Sequence, residues 1–391
     1  MSFQVKGWCP GALRPMRSGD GLVLRIRARN GRLLPEQIRA IADLSAQLGN
    51  GLIDLTNRAN LQLRGLDQQG HEQALTTLAA HDLLDPTPEA EARRNIILSP
   101  FAPVGGAPWR VATAIAAAMT ADDAPQVPAK FGFAIDTLPP VLHLSPADIR
   151  LTPTTEGWLI QPDGGNWALP AQSAAQAAAQ AMTLAHWFLE GRSANHRMRQ
   201  HLRTDPTPPS SAIRADHSPF SKYPGDRATS DNLPPMAPGQ TPQGWLLGFA
   251  FGQITAEQLA RINAPIRLTP WRMLLIESPT QVRIPGAIEA PGDPLLRSAA
   301  CTGAPGCPQA LAETRDIARE LAPLAASLHV SGCAKGCARR TPAAVTLVAT
   351  GPDRFDLIAD GTTADAPLYR DLSRIDLVSR LAQGKAHDAS L

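Results

Sequence analysis

Two stretches far apart in this chain repeat one another, and that repeat limits the possible folds more than any other feature. Gly31-x4-Glu36-Gln37-Ile38 is matched by Gly252-x4-Glu257-Gln258-Leu259, and Ile53-Asp54-Leu55-Thr56 by Ile266-Arg267-Leu268-Thr269. The interval between the two landmarks is shorter in the second copy; chance is the competing explanation, and duplication the one adopted. Around the first copy, Leu22 to Arg27 alternates as a strand, and Pro35 opens a helix with Ile38, Ile41, Leu44 and Leu48 on one face and Gly49 at its end. Leu52 to Leu55 and Leu61 to Leu66 read as strands, and His71 to Leu84 as a second helix. That order predicts a ferredoxin-like α+β unit, and its return after residue 243 predicts two half-domains about a pseudo-twofold axis.

Each half-domain is followed by a segment of similar logic. Between Asn95 and Leu202 the pattern predicts strands at Val141 to Leu144, Ile149 to Thr152 and Trp158 to Gln161, then a helix from Ala171 to Leu189. The last segment predicts a helix at Pro308 to Ala322 and strands at Leu328 to Ser331, Val345 to Ala349 and Phe355 to Ile358. Asp205 to Pro242 is loaded with Pro, Ser and Asp and reads as a linker or strap. The expected division is 1–90, 91–203, the linker 204–242, 243–296 and 297–391.

A chain of 391 residues can bury two or three cores, and a net charge of +2 argues against a nucleic-acid specialist. Lys6, Lys130, Lys222, Lys335 and Lys385 are the only lysines; every other cation is arginine. Genome bias explains that, as does a need for fixed forks that grip carboxylates. The start has no continuous apolar run, and Val111 to Met119 is too short and alanine-rich to span a membrane. No membrane partner and a cytoplasmic location are expected.

Four of the five cysteines form two tight pairs, Cys301-x5-Cys307 and Cys333-x3-Cys337. A cubane iron-sulfur cluster needs four thiolates converging on one small volume, which two short loops can supply. Gly303, Gly306 and Gly336 let the backbone bend around a large core, and Pro308 is placed to open a helix whose N-terminus faces the thiolates. Zinc, a disulfide or small buried residues are the alternatives; zinc usually takes shorter spacings at both ends. Cys9, the fifth, reads as a small buried residue or a further functional thiol.

These residues resemble the sirohaem-dependent nitrite and sulfite reductase family over nearly the full length. The family's cysteine pairs fall on Cys301, Cys307, Cys333 and Cys337, which implies a 4Fe–4S cluster bound there; in the reductases the last of the four also bridges to the haem iron. Leu55-Thr56-Asn57-Arg58-Ala59-Asn60-Leu61-Gln62 resembles a segment whose arginine faces the anionic substrate, here Arg58. Arg25-Ile26-Arg27 resembles a first-strand motif with a second such arginine, placed on Arg27, and Arg94-Asn95-Ile96 resembles a tetrapyrrole-contacting turn. The fold implied is α+β: duplicated ferredoxin-like half-domains plus two α/β modules, the second carrying the cluster.

One departure separates members of the family. The reductases carry Lys-Phe-Lys, whereas this chain has Lys130-Phe131-Gly132, losing a proton donor that a multi-electron reduction needs. Cys9-Pro10-Gly11-Ala12-Leu13-Arg14-Pro15-Met16 and Leu268-Thr269-Pro270-Trp271-Arg272 resemble instead an oxygen-using branch of aerobic cobalamin biosynthesis. That resemblance implies precorrin-3A and dioxygen as substrates, an electron donor such as an NADH-linked reductase or a ferredoxin-like protein, and a mononuclear non-haem iron. Arg58, Arg27 and Lys130 are the implied catalytic residues. Arg25, Arg94, Asn95 and Arg272 join them in substrate binding, with Arg64, Arg339 and Arg340 as further cations that solvated surface positions explain equally well. No iron ligand can be named: His143 and His329 are placed in strands but read as structural. The rival readings are a sirohaem-bearing nitrite or sulfite reductase and a non-catalytic iron-sulfur protein.

Overall fold

The computed structural model describes residues 9–191, 197–204, 207–214 and 236–388. Most of the Pro/Ser-rich linker lies outside the described residues, as do the first eight positions. The described residues build four sheets, two antiparallel and two mixed, so the α+β expectation stands.

The repeat explains the two antiparallel sheets. The first orders Met16–Ser18, Gly21–Ile26, Leu61–Leu66, Leu52–Leu55 and Gln253–Thr255 side by side; the other orders Gly239–Thr241, Gly244–Gly248, Met273–Ile276, Ile266–Leu268 and Arg32–Leu33. The outermost strand of each comes from the opposite copy. Ile254 pairs with Ile53, and Leu33 with Ile266, at corresponding places in the two sheets. Backbone detail repeats too: Asn30 and Phe251 are both left-handed, with φ of 49° and 58°, just before Gly31 and Gly252. One apolar core fills the space between these sheets, including Ile38, Ile41, Ile53, Ile254, Leu259 and Ile266.

The helix Pro35–Leu48 forms where expected. Pro35 supplies its first turn, the Gln37 amide oxygen accepts the Leu34 N–H at 2.9 Å, and Ile38, Ile41 and Leu44 face the core. Burying each of these side chains contributes about 1.5–3 kcal/mol. Gly49 follows it in extended backbone, and only glycine fits there, since a β-carbon would lie 2.6 Å from the Arg64 carbonyl oxygen. The second helix runs Gln68–Ala80, starting earlier than expected because Asp67 caps it through the Gly70 N–H.

The mixed sheets share a plan of three parallel strands extended by antiparallel ones. In the first, Ile96–Leu98, Phe133–Ile135 and Ile149–Thr154 run parallel, followed by Gly157–Pro162, Trp167–Ala171 and Ile213–Arg214. Helices Ala107–Thr120 and Ala174–Gly191 pack on it. The second runs Ser298–Ala300, Leu328–Ser331, Ala343–Gly351, Arg354–Gly361 and Tyr369–Ser373, with helices Arg315–Leu321 and Arg374–Asp388. No helix among the described residues is long and apolar enough to cross a membrane.

Two sequence expectations fail. Val141 to Leu144 is a loop, because the Asp136 carboxylate accepts the Val141 and Leu142 N–H groups, and the Arg150 fork donates to the Leu142 and Ser145 carbonyls. The helix expected from Pro308 starts only at Arg315. Between them the Leu311 N–H is spent on the Gly332 carbonyl at 2.8 Å, tying the two cysteine loops together instead of continuing a helical ladder. No helix N-terminus therefore opens at Cys307.

Candidate functional site

Parallel pairing brings the cysteines together. Ser298–Ala300 and Leu328–Ser331 lie side by side in the same direction, so the chain leaves both strands at one edge. Cys301 follows the first strand directly and Cys333 lies just beyond the second. The loops are then cross-tied. Gly332 N–H donates to Cys301 Sγ at 3.2 Å, Thr314 Oγ1 to the Cys301 carbonyl at 2.7 Å, and Ser331 Oγ to the Cys333 carbonyl at 2.7 Å. Gly303 and Gly336 hold φ of 69° and 61°, and a β-carbon at either would meet a threonine hydroxyl within 2.8 Å.

All four thiols are free. Burial pushes the Cys337 thiol up, Lys335 opposes this, and the nearby Cys301, Cys333 and Cys307 add to the rise. The four sulfurs therefore share one electrostatic neighbourhood. Among the described residues, no three His, Cys, Asp or Glu side chains converge closely enough to hold a single metal ion.

Next to this loop edge opens a cavity of about 340 Å³. Ala338 and Arg339, which directly follow Cys337, form part of its wall; Arg272, Arg297, Trp271 and Phe251 form much of the rest. Three arginines line it and no carboxylate does. Arg272 stands in left-handed backbone, φ 61°, at the place Ala59 occupies in the first copy, φ 52°. The cause is a shared turn: Thr269 Oγ1 accepts the Trp271 and Met273 N–H groups as Thr56 Oγ1 accepts those of Arg58 and Asn60. Burial lowers the Arg272 guanidinium pKa, Asp54 opposes that and Arg315 adds to it. Arg339 donates to the Thr341 and Pro342 carbonyls and is lowered by burial. Arg297 makes no ion pair among the described residues.

The other expected site residues divide. Arg27 is 4% exposed and paired with Glu91 at 2.7 Å. Arg94 forks onto Asp85 at 2.7 and 2.8 Å and reaches the Arg27 carbonyl. Asn95 donates to the Ala92, Ala129 and Phe131 carbonyls. These three are built into the scaffold and do not line the cavity. Arg25 holds Gln62, and burial, with Arg27 beside it, pulls its pKa down to about 10. Arg58 donates to the Lys130 carbonyl at 2.9 Å, while the Lys130 side chain is exposed. Burial, followed by Arg197, lowers Arg58. Cys9 is half-buried within electrostatic reach of Arg25, Arg27 and Arg58. Arg64 is 6% exposed and ion-paired to Asp20, so a solvated position does not describe it. Arg340 is exposed and outside the cavity wall, as a solvated surface position would be.

Sequence reasoning missed Arg297 and Asn57 on the cavity wall and Asp54 behind it. Arg297 had a signal, since it sits four positions before Cys301 and just ahead of a strand.

His143 sits in a loop, lowered by burial and Arg150, while His329 is on the strand expected for it and fully buried. Neither His329 ring nitrogen has a partner among the described residues. Burial, reinforced by Arg339, pulls its pKa down to about 4. The unfolded imidazole titrates near ~6.5, so the unfolded chain takes up a proton that the folded one refuses. Stability should therefore fall as pH drops from about 6.5 towards 4, with this group contributing up to about 3 kcal/mol. In His329→Phe, urea midpoints measured across that window should show a flatter acid limb; an unchanged slope would count against the assignment.

With this geometry in place, comparison with known proteins is informative. Residues 14–81 match the nitrite/sulfite reductase ferredoxin-like half domain. A curated precorrin-3B synthase from Sinorhizobium sp is 28% identical over 400 residues, covering 93% of this chain and 84% of that protein. The chain is a homologue of precorrin-3B synthase. The solved structure of the Mycobacterium tuberculosis NirA protein superposes with a TM-score of 0.54 at 16% identity, covering 93% of this chain and 80% of that one, and so shares its fold.

Proposed function

We propose that this chain is an oxygen-dependent monooxygenase that converts precorrin-3A to precorrin-3B, hydroxylating the C20 meso carbon and closing a γ-lactone from a ring A acetate. The observation that carries this is the cavity beside Cys337, whose wall includes Arg272, Arg297 and Arg339 and no carboxylate. A tetrapyrrole bearing acetates and propionates brings the missing negative charge. Charge-assisted pairs there contribute about 1.5–3 kcal/mol each. Trp271, Phe249 and Phe251 give the apolar surface that a macrocycle face needs and exclude water from it.

Cys301, Cys307, Cys333 and Cys337 would hold a 4Fe–4S cluster. The fit is chemical: four soft, free thiols share one neighbourhood, with an amide already aimed at Cys301 Sγ. Such a cluster supplies electrons one at a time, delivered to it by an NADH-linked reductase or a ferredoxin-like donor; a reducing cytoplasm suits it. A mononuclear iron does not fit, because the described residues present no ligand group for one. Arg58 and Lys130 are assigned to the reacting face through Asn57, which neighbours Arg58 and lines the cavity. Arg25 supports them, while Arg27, Arg94 and Asn95 act through the scaffold. The chain divides, on this reading, at 1–90, 91–203, 204–242, 243–296 and 297–391.

Gly132 speaks against the reductase reading. A β-carbon there would lie 2.9 Å from the Asn95 carbonyl oxygen and 3.2 Å from Arg58 Nη1, so a lysine would displace Arg58. The test is direct. Anaerobically reconstituted protein, precorrin-3A, a reductant and isotopically labelled dioxygen should yield a lactone carrying one label. Unchanged pigment removes the assignment, and a sirohaem spectrum with nitrite or sulfite turnover replaces it. Arg272→Ala with Arg297→Ala should weaken precorrin-3A binding about 100-fold by optical titration, with the iron and sulfide content intact.

A further inference from the structure

We propose that Arg64, held by Asp20 and Asp54, is a positioning residue that fixes the loop from Cys301 to Cys307 against the first antiparallel sheet. This rests on the reading that those cysteines hold a cluster.

The Gly306 carbonyl, immediately before Cys307, receives three donors. They are Gly19 N–H at 3.2 Å, Ser18 Oγ at 2.9 Å and Arg64 Nη2 at 3.2 Å. All three come from the first sheet, more than two hundred residues away in sequence. A carbonyl oxygen offers two lone pairs, so this acceptor is saturated. Nothing local requires it: a loop that merely spanned the two cysteines would leave this oxygen to water.

Arg64 cannot swing away. Its fork is bidentate on Asp20, Nε to Oδ2 and Nη2 to Oδ1, both at 2.9 Å, and Nη1 lies 3.6 Å from Asp54. Asp20 also accepts from Asn50 at 3.1 Å. Asp54 reaches the loop's other end: Arg315 Nη2 lies 3.3 Å from it, and Thr314, the preceding residue, holds the Cys301 carbonyl at 2.7 Å. Gln253, on the exchanged strand, donates to the same carboxylate at 3.2 Å. Both ends of the Cys301–Cys307 loop thus refer back to carboxylates of one sheet, whereas among the described residues the Cys333–Cys337 loop has no such tie to it.

That asymmetry makes the proposal testable. In full-length protein stripped of iron by a chelator, iodoacetamide labelling of each cysteine is read by peptide mass spectrometry. Arg64→Lys keeps the charge and loses the fork; Ser18→Ala removes one donor and leaves the ion pairs. Labelling at Cys301 and Cys307 should rise about tenfold in the first variant and less in the second, with Cys333 and Cys337 unchanged, as loss of a charge-assisted hydrogen bond predicts. Equal rises at all four thiols, or none, overturn it. In as-purified protein, both variants should keep their iron and change the paramagnetic lineshape after reduction; an unaltered lineshape also overturns it. None of these readouts requires turnover of precorrin-3A, so failure of the substrate assignment shows separately, as absence of labelled lactone.

Discussion

Cys337→Ser is expected to abolish the paramagnetic signal of the reduced cluster and bring turnover to background, while the chain stays folded and still binds precorrin-3A. The thiol sits on an exposed loop near three others, and a serine hydroxyl is too hard and too weakly acidic to replace a thiolate on iron. Folding is spared because no hydrogen bond among the described residues depends on this side chain, and the loop is held by the Gly332, Ser331 and Thr314 contacts at other positions. Arg339 follows Cys337 closely, but Arg272 and Arg297 reach the cavity wall from other strands and loops, so affinity should survive. Iron and sulfide analysis, resonance spectra and an optical binding titration check the three parts. A full cluster in this variant would remove the ligand assignment outright.

Glu91→Ala is expected to destabilise the protein by about 3–5 kcal/mol, the cost of leaving a buried charge without its partner. Arg27 and Glu91 side chains are 4% and 5% exposed, and the Glu91 carboxylate also accepts the Ala12 N–H at 2.6 Å and the Leu13 N–H at 3.0 Å. Removing it strands a guanidinium and two amides together. It also loosens residues 10–13, which cross the start of the first sheet where Gly11 is pressed so close to Glu91 that no β-carbon fits. Thermal unfolding should begin roughly 10 °C lower. The competing idea, that Arg27 faces substrate, predicts instead that Arg27→Ala loses affinity at an unchanged melting temperature.

What the sequence disclosed follows from the range of the forces involved. Apolar periodicity is local, and the strands and helix between residues 21 and 66 were legible because their faces are set by neighbours a few positions away. The strands Arg32–Leu33 and Gln253–Thr255 were not: each is too short to show a period and is defined by a partner from the other copy. Pro308 carried a helix-start signal that lost to a longer-range bond, Leu311 to Gly332. Val141 to Leu144 alternated like a strand and was captured by the Asp136 carboxylate. The cysteine pairs stand out in the sequence by type and spacing, and parallel pairing brings their two loops to one sheet edge. Arginines carry no such label. Arg272 and Arg27 look alike in sequence, and only the location of Glu91, 64 positions along, makes one a scaffold element and leaves the other on the cavity wall.

The reciprocal loan of edge strands has a mechanical consequence. Opening the crevice between the two copies would require both Gln253–Thr255 and Arg32–Leu33 to unzip at once, so access to the buried wall must come from surface loops and not from hinged halves. A gene fragment encoding either copy alone would emerge with a bare hydrogen-bonding margin that invites self-association. Splitting this polypeptide into working pieces should succeed only where both lenders remain in the same tube.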